Sequence, residues 1–164
     1  MLKLLLATAL LVSAERPQQT GIITGSVVLP PQQEISEPVQ VILLSPVYSD
    51  LWVNEVQKRL DRYWQQFQPA FRYRKESFTE LSKQAHKEAT SYVVNRMQRD
   101  SAGNISEYVR RISADGKFEF KNVPFGEYKV LAVGKVGNQD VIWHEFVDVR
   151  SAVPHFLELK KSIP

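Results

Sequence analysis

Three histidines, His86, His144 and His155, are the first residues to test for metal or proton chemistry in a 164-residue chain with no cysteine. The absence of cysteine removes disulfides, thiol nucleophiles and thiolate metal sites together. The run His144-Glu145-Phe146-Val147-Asp148 begins like the zinc motif H-E-x-x-H. That motif needs a second histidine one helical turn on, with the glutamate between them. Asp148 stands there instead, and the segment reads as a strand, on which His144 and Glu145 face opposite sides. The histidines are read as surface or sheet-edge residues, and no metal or other cofactor is expected.

Other chemistry is as sparse. No G-x-S-x-G occurs, and Ser26 sits inside a strand-like run. No phosphate-binding G-x-x-x-x-G-K-[ST] occurs either. Glu34 and Glu37 fall in a polar loop, and Glu76 and Glu80 fall on a helical pattern beside Lys83 and Lys87, so both pairs read as solvated faces. No catalytic residue is assigned, and no enzymatic activity is expected. Trp143 and Tyr108 are the candidates for stacking on a sugar ring, although single aromatics on strands also serve as core. Arg72-Tyr73-Arg74-Lys75 is a basic patch with an aromatic, in a block (51–99) with ten basic and five acidic side chains. It suits an acidic partner or an anionic membrane surface. Over the whole chain 21 basic side chains face 18 acidic ones, too even a balance to point to nucleic acid.

Compartment is read from the first residues. "MLKLLLATALLVSA" has Lys3, an apolar run from Leu4 to Val12, and a small-residue end at Ala14. These are the parts of a secretory signal, and the run is far short of the roughly 20 residues that span a bilayer. The expectation is a secreted or periplasmic protein, soluble after cleavage near Glu15. Asn104-Ile105-Ser106 is a glycosylation sequon with meaning only in a eukaryotic secretory route.

The elements that must position any site follow from periodicity. Apolar, β-branched runs bounded by Pro, Gly and polar clusters predict strands at 22–29, 39–44, 105–113, 117–121, 128–133, 141–149 and 153–159. Between the second and third, residues 51–99 contain no Gly and one Pro, and the spacing becomes helical. Val53, Val56, Leu60, Tyr63 and Phe67 form one stripe. Phe71, Phe78, Leu81, Ala85, Ala89, Tyr92 and Val93 form another. Ser49 or Asp50 is the expected N-cap. Pro69 is expected to break or kink the block, and Gly103 to supply a left-handed cap or turn. Asp115-Gly116 reads as a hairpin turn, Gly137–Asp140 as another, and Pro124 with Gly126 as a tight turn.

The stretch "DGKFEFKNVPFGEYKVLAV" (115–133) resembles the D-G-x-F-x-F-x-x-V-P-x-G-x-Y-x-V-x-A motif of carboxypeptidase regulatory-like domains, the transthyretin-like or CarboxypepD_reg-like sandwiches. Gly25-Ser26-Val27 resembles that family's opening, and Pro38-Val39-Gln40-Val41 its second strand. The likeness covers roughly 21–48 and 104–160, with the helical block where these domains have a loop. It implies a fold and no peptidase activity, since the zinc-bearing domain of those enzymes is a separate one.

The resulting expectation is a mainly β, seven-stranded antiparallel sandwich of prealbumin or immunoglobulin type. A signal peptide occupies 1–14, a flexible arm 15–20, one domain 21–160 with a helical hairpin inserted at 50–100, and a tail 161–164. Val39, Val41 and Leu43 alternate with Ile42 and Leu44, and Val130 and Ala132 with Leu131 and Val133, so these strands are apolar on both faces. An open sheet face should be polar. A cover is therefore required, with the chain's own helices favoured over a partner or a second copy. The functional expectation is a non-catalytic module binding a protein of the cell envelope or exterior. The alternatives are a carbohydrate-binding accessory domain and a structural subunit that self-associates through its helices.

Overall fold

The computed structural model describes residues 19–28, 38–71, 75–112, 115–136 and 139–160. Residues 1–14, expected as a leader, residues 15–18 of the expected arm, Glu34, Glu37, Arg72, Tyr73, Arg74 and residues 161–164 lie outside them. The chain is mainly β, with two sheets and two helices. The strands are β1 (Thr20–Val27), β2 (Val39–Leu44), β3 (Val109–Ile112), β4 (Lys117–Pro124), β5 (Gly126–Val136), β6 (Gln139–Val149) and β7 (His155–Leu159). Helices α1 (Pro46–Phe71) and α2 (Lys75–Asp100) lie between β2 and β3.

One sheet has the order β4-β1-β7 and the other β3-β2-β5-β6. Their facing sides close a core in which Ile23, Phe118, Phe120 and Leu159 meet Val39, Val41, Leu43, Tyr128, Val130 and Trp143. The alternation in "KFEFK" places Phe118 and Phe120 inward and its charged residues outward. Pairing is not antiparallel throughout, because β7 runs parallel to β1 from Ile23↔His155 to Val27↔Leu159. The chain crosses between sheets after β6, so β7 meets β1 without the geometry of a local hairpin.

The two motif turns also differ from expectation. Asp115-Gly116 is not the tip of a hairpin, since β3 and β4 belong to different sheets. It serves a crossover: Gly116 has φ 68 and its carbonyl accepts Val27 N–H at 2.9 Å, which aligns β4 on β1. Pro124 ends β4 and Gly126, at φ 155, opens β5 in the other sheet. Tyr128 hydroxyl donates to Pro124 O at 2.9 Å and ties that corner. The β5–β6 pair is a true neighbour pair, reaching Val136↔Gln139, and Gln139 and Asp140 belong to β6. The third strand is shorter than its apolar text, because Ile105 O accepts Tyr108 and Val109 N–H in a turn before it.

The helices form a third layer. Ile42, Leu44 and Leu131, on the outer side of the four-stranded sheet, pack with Trp52, Val56, Ala89, Val93 and Met97. β2 is consequently buried on both sides. α1 begins at Pro46, ahead of the expected Ser49 or Asp50. Ser45 O accepts Ser49 N–H at 2.8 Å, and proline suits the first helical position, where no N–H is needed. Pro69 does not divide the helix and falls in its final turn. The inner stripe of α1 runs through Trp52 rather than Val53, which is 48% exposed. The larger ring wins the interior because its N–H finds Thr90 Oγ1 on α2. On α2 the buried residues step by four, Ala85, Ala89, Val93 and Met97, and the two alanines let the helix approach closely. Ala102 (φ 51), rather than Gly103, is the first left-handed residue after α2. Ala102 N–H bonds Arg99 O and Gly103 N–H bonds Gln98 O, which satisfies the last carbonyls.

Candidate functional site

Beyond the apolar cover, the outer side of the four-stranded sheet turns polar. The period of two that points Ile42 and Leu44 at the helices also points Gln40 outward, one step past their reach. Gln40 pairs with Arg111 on β3 and with Val133 on β5, and Lys135 on β5 pairs with Asp140 on β6. Lys87 of α2 meets Asp140 with Nζ 2.8 Å from Oδ2. These residues, with Pro38 and Gly134, line an open cleft of about 380 Å³. Three cations, one carboxylate and one amide thus converge on a common space from four strands and a helix. Fork-shaped guanidinium and ammonium donors suit a carboxylate or sulfate, and the Gln40 amide can serve either a donor or an acceptor.

A second polar cluster is enclosed. Lys129 of β5 is only 4% exposed. Its Nζ lies 4.6 Å from the Trp52 ring centre and 4.5 Å from that of Phe146. Burial pulls its pKa below the usual lysine value, and the Asp50 carboxylate opposes that pull. Trp52 Nε1 donates to Thr90 Oγ1 at 2.9 Å, and Thr90 Oγ1 donates to His86 O at 2.8 Å. His86 Nδ1 lies 2.7 Å from Ser82 O. Burial lowers the His86 pKa, the bond to Ser82 opposes this, and the Lys129 charge lowers it further. An amine of lowered pKa is the raw material of Schiff-base chemistry. Here aromatic faces cover the ammonium, so the cluster fastens α1 and α2 to β5 and β6.

The expected site residues are dispersed. Trp143 lies in the inter-sheet core at 2% exposure, opposite Ala132, and cannot act as an exposed platform. Its length and its strand drove it inward. Tyr108 is half-buried beside the helix-facing core, on the other side of the sheet. The pair is therefore not a stacking site. Lys75 is the first residue of α2, next to the undescribed Arg72, Tyr73 and Arg74. His144 and Glu145 stand on β6, as the alternation requires. Asn104 is exposed, and its Oδ1 accepts Ser106 Oγ at 3.0 Å. Gln40, Lys87, Arg111, Lys135 and Asp140 went unnoticed because nothing local joins them. Lys129 did leave a signal, as the one charged residue in the run from Tyr128 to Val133, which is otherwise apolar on both faces.

No helix among the described residues is long and apolar enough to cross a membrane. No family model matches the chain, and no curated protein does. Among solved structures, a candidate carbohydrate-binding protein from Pseudomonas aeruginosa aligns over 90% of this chain and 92% of its own, at 13% identity and a TM-score of 0.38. The pilus backbone protein RrgB of Streptococcus pneumoniae aligns over 87% of this chain at 10% identity and a TM-score of 0.32. The chain spans 41% of that pilin's length.

Proposed function

We propose that this protein is an exported, non-catalytic binding module of carboxypeptidase regulatory-like type, and that the cleft above α2's Lys87 takes a carboxylate-bearing ligand. The observation that carries the reading is the convergence of Lys87, Arg111 and Lys135 with Gln40 on one open cleft. Its single carboxylate, Asp140, is engaged by Lys87. The Arg111 guanidinium favours an anion, and the openness favours an extended chain passing through rather than an enclosed small molecule. Export is supported by the leader-like "MLKLLLATALLVSA". The family reading is supported by the motif at 115–133, which spans β4, the corner and β5.

The alternatives fare unequally. A sugar ligand would be held through charge and hydrogen bonds, since Trp143 is occupied in the core. A subunit that self-associates through the helices would need the stripe of Trp52, Val56, Ala89 and Val93, which the sheet already uses.

Calorimetric titration tests the proposal with three probes: galacturonic acid oligomers, a glutamate-rich peptide, and neutral galactose oligomers. Binding is expected for a carboxylated probe and not for the neutral one. Arg111→Ala or Lys135→Ala should weaken it by about tenfold, the loss of one charge-assisted contact. The two acidic probes separate a glycan from a protein partner. Equal heats for acidic and neutral probes, or no change in either variant, would overturn the assignment.

A further inference from the structure

The edge of a sheet offers a row of main-chain N–H and C=O groups to any chain that arrives extended, and folded proteins blunt such edges. Three of the four edges here are blunted. β3 and β7 have only four and five residues. β4 carries exposed Lys117, Glu119 and Lys121, and its register with β1 slips at a bulge where Asn122 has φ 55. β6 is the fourth edge. It runs for 11 residues, and its register with β5 is unbroken from Gly126↔Val149 to Val136↔Gln139. Among the described strands none pairs with its outer side. The Phe146 N–H turns to that side and meets the Glu145 carboxylate, with Oε1 at 3.4 Å. The alternation of the sheet agrees. Leu43 N–H bonds Tyr108 O on the β3 side, so Ile42 and Leu44 face β5, and the registers carry the pattern on until Ile142, Phe146 and Asp148 face outward.

That edge is acidic and apolar. From Gln139 to Val149 there are three carboxylates and neither lysine nor arginine. Phe146 is 62% exposed, although it stands in the second half of a long strand rather than at its end. Glu145 beside it is exposed, and Asp148 stands opposite an exposed Glu127 on β5. Two cations answer these groups. Arg150 pairs with Asp148, and the enclosed Lys129 ammonium, set against the Phe146 ring, is drawn to Asp50 of α1. Asp50, Glu127, Glu145 and Asp148 against Lys129 and Arg150 leave a negative surplus around one exposed ring. Two copies joined edge to edge would set acidic strand on acidic strand, whereas a basic strand complements it.

We infer that β6 is a docking edge for a basic, extended segment of a partner polypeptide, which joins the sheet as an added antiparallel strand through main-chain bonds. The alternation of β6 sets the pattern of that segment. A cation opposite Asp148 is followed, two residues on, by an apolar side chain over Phe146, and then directly by a cation beside Glu145. The order lysine-threonine-valine-lysine meets it. Fluorescence anisotropy with a labelled, end-blocked peptide Thr-Lys-Thr-Val-Lys-Thr tests the inference, against the same peptide with glutamate for lysine. The lysine peptide is expected to bind and the glutamate peptide is not. N-methylation of the first lysine and the valine, whose N–H groups face β6, should abolish binding. N-methylation of the second threonine and the second lysine, whose N–H groups face away, should spare it. Glu145→Lys should weaken binding by about tenfold. Its circular dichroism melt should match the parent, because the side chain is exposed. No binding of the lysine peptide, equal loss from both methylated peptides, or unchanged affinity in Glu145→Lys overturns the inference. So does a concentration-dependent dimer of the parent in analytical ultracentrifugation that Phe146→Lys disperses, which would make a second copy the occupant.

Discussion

Trp52 is expected to be the residue on which the helix layer depends. It is 4% exposed, donates to Thr90 on α2, and offers its face to Lys129 of β5. Trp52→Ala should cost about 3–5 kcal/mol, the range for a large aromatic removed from a core. Trp52→Phe keeps a ring and loses the bond to Thr90, so about 1 kcal/mol is expected. The partner change, Lys129→Met, has opposing effects. It removes a charge that burial disfavours, keeps a flexible chain of similar length against the rings, and forfeits contacts of about 0.5–2 kcal/mol. The net change should lie within about 1 kcal/mol. In the Lys129→Met background, Trp52→Ala should cost about 1–2 kcal/mol less, because no ammonium is left stranded. The sign with pH is also fixed. The folded amine has a pKa below its usual 10.5, so the unfolded chain binds more protons in that window and stability rises with alkaline pH up to about 10.5. Lys129→Met should remove that rise. Urea denaturation followed by circular dichroism measures the parent and the four variants. A coupling below about 0.5 kcal/mol, the scatter of independent sites, would refute the claim that ring and ammonium act together.

His86 should mark the acid side: its folded pKa is below 6.5, so its stabilisation is present above 6.5 and lost as pH falls beneath it. His86→Leu should flatten the fall in urea midpoint there, while the carboxylates Glu88 and Asp100, held low by Gln84 and Arg96, govern a separate loss at more acid pH. Gly25→Ala should cost about 1–3 kcal/mol in calorimetry, since a Cβ would press on Leu157 O of β7 and the Phe118 ring. Ala102→Gly should raise stability by about 0.5–1 kcal/mol, relieving a left-handed alanine against a smaller gain in unfolded-chain entropy. Replacing residues 46–100 by a Gly/Ser linker should uncover Ile42, Leu44 and Leu131 and produce binding of a hydrophobic dye, which native fluorescence controls would detect.

Periodicity made most strands and both helices legible, because burial on one side imposes a period that short sequence windows contain. The need for a cover over β2 and β5 followed from the same rule, and Ile42, Leu44 and Leu131 do meet the helices. What escaped was relational. Gly116 reads the same in a hairpin and in a crossover, and only its bond to Val27 distinguishes them. In α1 the stripe was right at Val56 and Leu60 and wrong at its first member, because Trp52 and Val53 are both apolar and the choice depended on Thr90, 38 residues away. The cleft was invisible for the same reason: Gln40, Lys87, Arg111 and Asp140 become neighbours only through register and helix placement.

The strand order carries a consequence for how the chain acquires its shape. β1 sits in the middle of its sheet, and both of its partners, β4 and β7, lie beyond the helices in sequence. As the polypeptide emerges from its amino end, β1 has nothing to pair with until more than half the chain has followed. The segment from β2 to β6, by contrast, contains the whole four-stranded sheet and its helical cover. That segment can nucleate alone, with β1 held waiting and captured late, at the loop-closure cost that slows long-range pairing. A chain whose earliest strand stays uncommitted remains open at that end until its last strand arrives.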